Sequence, residues 1–315
     1  MIGLFLRRLL AGIAVLWLVT LLVFGGTEIL PGDLAEAVLG QNATAESLAA
    51  VRQRLGLDRP LHVRYFEWLR NLTTGSLGVS LASGRPISEL FGERVGNTIR
   101  LAVFAAAIAV PLALGLGLLG ALRAGSSLDR VISTITLCLM SVPEYFVAAV
   151  LVLFFAVRLR WLPVTATVHS DQTWLQTITL LALPVMTLTV VLLAHLARMT
   201  RAAILNVMSS AYIEYATLKG MTHLRIVLRH ALPNALPPIL NVVALNLAYL
   251  VSGVIVVETV FNYPGLGSLM VSAVATHDLP LVQACAMIFC VVYIALNLVA
   301  DLLAVFANPR LRHPR

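Results

Sequence analysis

Lysine occurs once in these 315 residues, at Lys219, and charged residues of all kinds make up only 12% of the chain. Soluble globular proteins carry about 25% charged and roughly 45–50% apolar residues. Here the apolar share is 59% and the mean hydropathy is +0.92. That excludes an ordinary soluble enzyme, a disordered chain and a disulfide scaffold, and leaves a polytopic membrane protein. Cysteine is scarce too: Cys138, Cys285 and Cys290 all lie in apolar runs without CxxC spacing, so they read as small buried hydrophobes. A P-loop needs Gly-Lys-Ser/Thr, so that the lysine reaches the β- and γ-phosphates. Lys219 is followed by Gly220, and the chain has no such site. Ion-coupled transport calls for several intramembrane acids or histidines. Only Glu144 interrupts an apolar run, and His195, near the end of another, reads as an interfacial side chain. No Ser/His/Asp set or HExxH sequence lies in the water-facing segments. The composition therefore predicts no enzyme, no metal site and no cofactor held by this chain.

What is abundant is long apolar sequence. Residues 9–27, 101–122, 172–197, 231–257 and 279–300 carry no charge, and 131–157 carry only Glu144. Each is long enough for the about 20 residues a helix needs to cross hydrocarbon, and none shows the alternation of a membrane barrel. The prediction is an all-α polytopic membrane protein with six transmembrane helices. Six crossings put both termini on one side. The segments on that side hold twelve basic residues and three acids, Asp129, Glu214 and Asp301, while the short connection between spans five and six on the other side has no Arg or Lys. By the positive-inside rule both termini are cytoplasmic. The net charge of +7 then needs no nucleic acid. Residues 9–27 follow Arg7 and Arg8 without a clean cleavage site, so they read as an uncleaved first helix.

Three regions follow: 1–28, the N-terminal tail and span one; 29–100, an external subdomain; and 101–315, a five-span core with a cytoplasmic loop at 198–235. In the external subdomain Thr44 is placed to cap a helix that Gly56 ends. Leu48, Val51 and Leu55 share one face of it. Leu61, Tyr65, Trp68 and Leu72 form a second amphipathic face, and Asn97 or Thr98 is placed to cap span two. This region packs on the pore mouth or receives a partner, or else is a lid that only packs on its own helices. In the 198–235 loop, good helix formers over 211–219 meet Gly220. Thr222 is placed to cap a second short helix through His230, and Pro233, Pro237 and Pro238 mark the start of span five. A short helix lying across the cytoplasmic side suits transmission of force. The same pattern suits a surface helix whose arginines snorkel to lipid headgroups.

The loop carries a resemblance. Permease subunits of ABC importers share Glu-Ala-Ala, three residues, Gly, nine residues, Ile, one residue, Leu-Pro. This chain has Glu214, Ala216, Gly220 and Leu232-Pro233 at that spacing, and departs at Tyr215 and His230. Within that superfamily Leu218-Lys219-Gly220 and Leu228-Arg229-His230-Ala231-Leu232-Pro233-Asn234-Ala235 resemble the dipeptide/oligopeptide/nickel branch, in particular the first of its two permeases. Arg7-Arg8-Leu9, Leu30-Pro31-Gly32-Asp33, Leu55 through Leu61, Gly84-Arg85-Pro86, Glu258 through Gly267, and Asp301 with Asn308-Pro309-Arg310 resemble the same branch, so the likeness runs nearly the whole length.

The resemblance implies a type I ABC importer permease fold and a bacterial or archaeal cytoplasmic (inner) membrane. It implies a homologous second permease, one or two P-loop ATPase subunits that bind ATP and Mg, and an external solute-binding protein. It places Glu214, Tyr215, Ala216, Lys219 and Gly220 in contact with the ATPase, with Ala216 letting the helix sit close and Gly220 turning the backbone. It points to short peptides as solute. Nickel complexes, glutathione and opine-like solutes are the alternatives within the branch, and an ATP-independent channel or secondary transporter is the alternative outside it. Glu144, beside Pro143, stands where the branch has a small polar residue. A carboxylate at mid-membrane costs about 2.5–3.5 kcal/mol on insertion scales. It therefore lines the pathway and favours solutes with a positive group, or pairs with the second permease or the opened helix. Glu258, at the outer end of span five where water is expected to reach, is assigned a structural or gating role at the outer mouth.

Overall fold

The computed structural model describes residues 2–29, 44–56, 58–167 and 173–307. Leu30-Pro31-Gly32-Asp33 and Asn308-Pro309-Arg310 lie outside them, as does Leu57. The described residues form α1 (Ile2–Ile29), α2 (Ala45–Leu55), α3 (Leu61–Thr73), α4 (Ile87–Leu122), α5 (Ser127–Met140), α6 (Glu144–Leu151), α7 (Trp174–Met208), α8 (Ala211–Leu218), α9 (His223–Ile226), α10 (Leu232–Val260), α11 (Leu266–Ala275) and α12 (Leu279–Ala307). Among them there is no strand beyond an isolated bridge between Val79 and Pro86.

The core is α4 against α7 and α10. Along α4, Leu101, Ala105, Ala109, Ala113, Gly117 and Ala121 recur every fourth residue, which puts them on one face. Those of them with side chains are fully or almost fully buried. Lipid tails are as apolar as leucine, so helices in a bilayer associate through close van der Waals packing, and small residues allow it. At Gly117 the approach is closest: a Cβ there would lie 2.6 Å from Thr200 Cβ on α7. Large residues fill the other side, with Leu181, Leu188, Leu192 and Leu196 from α7 and Leu250, Val254 and Val257 from α10.

Five helices are long and apolar enough to cross a membrane, and α5 with α6 makes a sixth if counted together. The predicted third span is not one rod. It breaks at Ser141-Val142-Pro143 and turns by 105°. Pro143 has no N–H to continue the ladder of α5; its carbonyl instead starts α6, accepting from Phe146 and Val147 N–H at 3.0 and 3.2 Å. The pair still carries the chain from end to end. Asp129, in the first turn of α5, is paired to Arg201 near the end of α7, whereas Ala166, beyond the π-helical Val152–Arg158 that follows α6, donates to Phe261 O at the far end of α10. Six crossings result.

The two ends of the bundle are distinct. At one, α3 packs on the last turns of α1: Arg64 holds Glu28 through two hydrogen bonds of 2.6 and 2.9 Å, and Tyr65 Oη lies 2.8 Å from Thr20 Oγ1. Phe24, Tyr65 and Trp68 stack between the helices. Leu61, expected on that face, is exposed. At the other end lie α8 and the Arg8–Asp301 ion pair, so α1 begins and α12 finishes on the same side.

Further expectations are revised. Neither Asn97 nor Thr98 caps a helix: α4 is continuous from Ile87, with Pro86 at its start, because proline is well placed before a first turn. The second helix of the loop does not stop at His230. After His223–Ile226 the chain passes through π-helical Val227–Ala231 straight into α10, and Pro233, Pro237 and Pro238 lie in its first turns. Asn234 Nδ2 donates to His230 O at 2.7 Å, a side-chain donor where prolines remove N–H groups. Of the cysteines, Cys285 is buried, Cys290 half-buried, and Cys138 exposed in the single chain.

Candidate functional site

Helix α8 lies at the end of the bundle opposite α3. Ser210 O accepts from Ile213 and Glu214 N–H to start it, and Gly220, at φ +75°, stops it, a left-handed conformation that suits glycine. Its two faces differ sharply. Ile213 and Ala216 are buried with Ile204 of α7, Ile226 of α9 and Ala235 of α10. Tyr215 and Leu218 are 62% and 80% exposed, and Glu214 and Lys219 are exposed beside them. Lys219 Nζ sits 4.8 Å from the centre of the Tyr215 ring, four residues away, a pairing that steadies the exposed aromatic. The small side chain of Ala216 packs α8 against its own bundle. The outward surface is Glu214, Tyr215, Leu218 and Lys219.

Just inside this end, Arg201 closes on Asp129 through two hydrogen bonds of 2.6 and 2.8 Å. Asp129 is buried and also accepts from Gly125 N–H at 2.9 Å. The pair ties α5 to α7.

At the α3 end the structure contains a second buried carboxylate. Glu258 is 0% exposed, so the expectation that water reaches it is overturned. Thr98 Oγ1 donates to it at 2.6 Å, and the N–H groups of Gly267 and Ser268 donate at 2.7 and 3.1 Å. Leu266 N–H donates in turn to Thr98 Oγ1 at 2.9 Å. Glu258 is thus the anion at the N-terminus of α11, where unpaired N–H groups and the helix dipole favour negative charge. The turn between α10 and α11 is held by Tyr263, whose hydroxyl donates to Asn97 O at 2.9 Å, and by Asn97 Nδ2, which donates to Pro264 O at 2.9 Å. Burial pushes the Tyr263 phenol up to about 12.

Asp278 was not anticipated. It is 1% exposed and accepts from Ser80 Oγ, Leu81 N–H and Ala82 N–H, besides Leu281 N–H in the first turn of α12. It fastens the 76–86 loop to the start of α12. Its position just before Leu279-Pro280 is a helix-start signal, but nothing in the sequence links it to Ser80.

Pro143 and Glu144 stand at the α5–α6 break. Glu144 borders a cleft of about 430 Å³ that His195, Asn246, Tyr249 and Tyr293 also line. His195 lies on α7, which continues past it to Met208, and lines this cleft. The structure thus separates the predicted residues into three places: the α8 surface, the mid-bundle cleft and the Glu258 network.

Two family descriptions match the chain. "Binding-protein-dependent transport system inner membrane component" matches residues 109–313, and the corresponding N-terminal component matches residues 1–102. The chain is 36% identical over 308 residues to a probable peptide ABC transporter permease protein, y4tP, of Sinorhizobium fredii, covering 98% of both chains. It is 37% identical over 313 residues to the glutathione transport system permease protein GsiC of Salmonella choleraesuis, covering 99% of this chain and all of the relative. Among solved structures it is similar to the inward-facing MetNI methionine ABC transporter, with a TM-score of 0.53 and 20% identity, over 69% of this chain and 97% of that one. An amino acid ABC transporter gives the same TM-score and identity over 70% and 94%.

Proposed function

This chain belongs to the family of binding-protein-dependent transport system inner membrane components, and we propose that it forms half of the pathway by which short peptides enter the cell. It is a multi-pass inner-membrane permease subunit of an ABC importer. The peptide reading is supported by relatives named for peptide and for glutathione, itself a small peptide. An ATP-independent channel is not favoured by this family.

The observation that carries the mechanism is the two-faced α8. Its outward Tyr215 and Leu218 form an apolar ridge in the single chain, and an exposed apolar ridge on a short helix fits a groove on a partner. We assign that partner as a P-loop ATPase, which binds ATP and Mg; this chain takes no catalytic part. The inward Ile213 and Ala216 are packed on α7, α9 and α10, so a displacement of α8 moves those helices as a body. Closure of the ATPase pair around ATP would bias the permeases between two states through this contact. Both termini and α8 then face the cytoplasm, in keeping with their excess of basic residues. A homologous permease completes the pathway, and an external binding protein delivers solute at the α3 end. Glu258 acts there as a structural support of the outer mouth.

Affinity isolation of the tagged chain from its native membrane, followed by mass spectrometry, tests the assembly. A second permease, one or two P-loop ATPases and a binding protein are expected with it. Recovery of the chain alone across several detergents would overturn the reading.

A further inference from the structure

The break at Ser141-Val142-Pro143 opens the 430 Å³ cleft at a particular depth. Its lining residues Val191, Asn246 and Tyr293 are close to the midpoints of α7, α10 and α12. It therefore lies near mid-length of three membrane-crossing helices, where an acid is costly unless it meets water, a partner or a cation. Glu144 brings such an acid there. Its carboxylate has no hydrogen-bond or ion-pair partner among the described residues. It rests against the α10 backbone at Gly253, where a Cβ would lie 3.0 Å from Oε2, so a larger residue at 253 would displace it. Among the described residues no Lys or Arg lines the cleft, and the nearest guanidinium contact is that of Arg198 with the sulfur of lining Met140, at 4.0 Å.

Besides His195 and a wall of aliphatic side chains, the lining offers three groups suited to a cation. Asn246 Nδ2 is committed to Val242 O at 2.8 Å, which leaves its amide oxygen as an acceptor. Tyr249 and Tyr293 line the same cleft and supply aromatic rings, whose faces attract ammonium groups. The volume falls within the roughly 300–1,000 Å³ of small-molecule sites. We propose that this cleft is a binding site for an ammonium group, in which Glu144 holds the side-chain ammonium of a solute in transit and so selects for solutes of net positive charge. The proposal rests on the reading of this chain as a permease.

Two measurements on the reconstituted importer test it. The first needs no substrate. Leu245→Cys, on the cleft wall, is made with Cys138→Ser, Cys285→Ala and Cys290→Ala. Its thiol is treated with trimethylammonium-ethyl or sulfonato-ethyl methanethiosulfonate, with and without ATP. The cationic reagent should react faster, and Glu144→Gln should reduce that preference about tenfold, the scale expected for one nearby charge at a partly screened site. A thiol unreactive in both nucleotide states would mean that the second permease fills the cleft. That result, or a preference unchanged in Glu144→Gln, overturns the site. The second measurement keeps the native cysteines and compares uptake of lysyl-alanine with that of near-isosteric norleucyl-alanine. Glu144→Gln should lower the ratio about tenfold, and Glu144→Asp should retain most of it. An unchanged ratio refutes selection by Glu144. A wild-type importer that moves neither dipeptide removes dipeptides as its solute, and the thiol measurement still decides the cleft.

Discussion

The carboxylate of Glu258 occupies the space that a side chain on Gly265 would need: a Cβ built on Gly265 overlaps both of its oxygens. The glycine therefore lets a carboxylate from α10 reach the N-terminus of α11. Glu258→Ala would leave Thr98 Oγ1 and the N–H groups of Gly267 and Ser268 without their acceptor, at a cost of about 3 kcal/mol for buried donors. Gly265→Ala should have nearly the same effect by displacing the carboxylate, and the double variant should be little worse than either. Denaturation in detergent reads the stability. Transport by both variants should fall without a change in which solute wins a competition.

The two faces of α8 predict opposite outcomes for neighbouring residues. Ala216→Leu enlarges a buried side chain against α7 and α10 and should destabilise the chain by about 1–3 kcal/mol. Leu218→Glu alters a side chain that is 80% exposed and should leave chain stability within about 0.5 kcal/mol. It should nevertheless abolish recovery of the ATPase. Thermal unfolding of each variant beside the yield of co-isolated ATPase separates the two.

Arg201 and Asp129 form a pair in which the acid is buried and the arginine only partly so. Arg201→Met strands the carboxylate and should cost roughly 3 kcal/mol. Adding Asp129→Asn should restore much of that loss, since no buried charge then remains. A double-mutant cycle on unfolding midpoints gives the coupling; additive effects would refute it.

Asp278→Ala removes the acceptor for three donors in the 80–82 turn. The 76–86 loop should detach from α12 and become the first site cut in limited proteolysis, while the packed parts of α4 and α7, such as Leu101–Ala113 against Leu181–Leu196, stay protected. Unchanged cleavage there would show that other contacts hold the loop.

Much of the architecture was legible in the residues themselves. Hydropathy counts along the chain, and a bilayer demands length and low charge, so residues 9–27, 101–122, 172–197 and 279–300 announce their helices. Local capping was equally readable: Thr44 accepts from Ser47 N–H, and Gly56 takes φ +65° to stop α2. The α8 helix and its Gly220 stop could be read for the same reason, because the groups involved are neighbours in sequence.

Direction and company were not legible. The run 131–157 has the composition of a straight span whether or not it turns by 105° at Pro143, because hydropathy carries no angle. Thr98 looked like a cap from its neighbours, yet its hydroxyl serves Glu258, 160 residues away. Ala216 looked outward from its motif, and the packing of α7, α9 and α10 turned it inward. His195 became part of a cleft only when α7 ran on beside Glu144. The sequence by itself determined that this chain crosses a membrane in helices and where most of them start and stop, since propensity, capping and solvation act over a few residues. Only the tertiary structure decided which acids are capped, paired or left facing a cavity, because those partners lie on helices that meet in space and not along the chain.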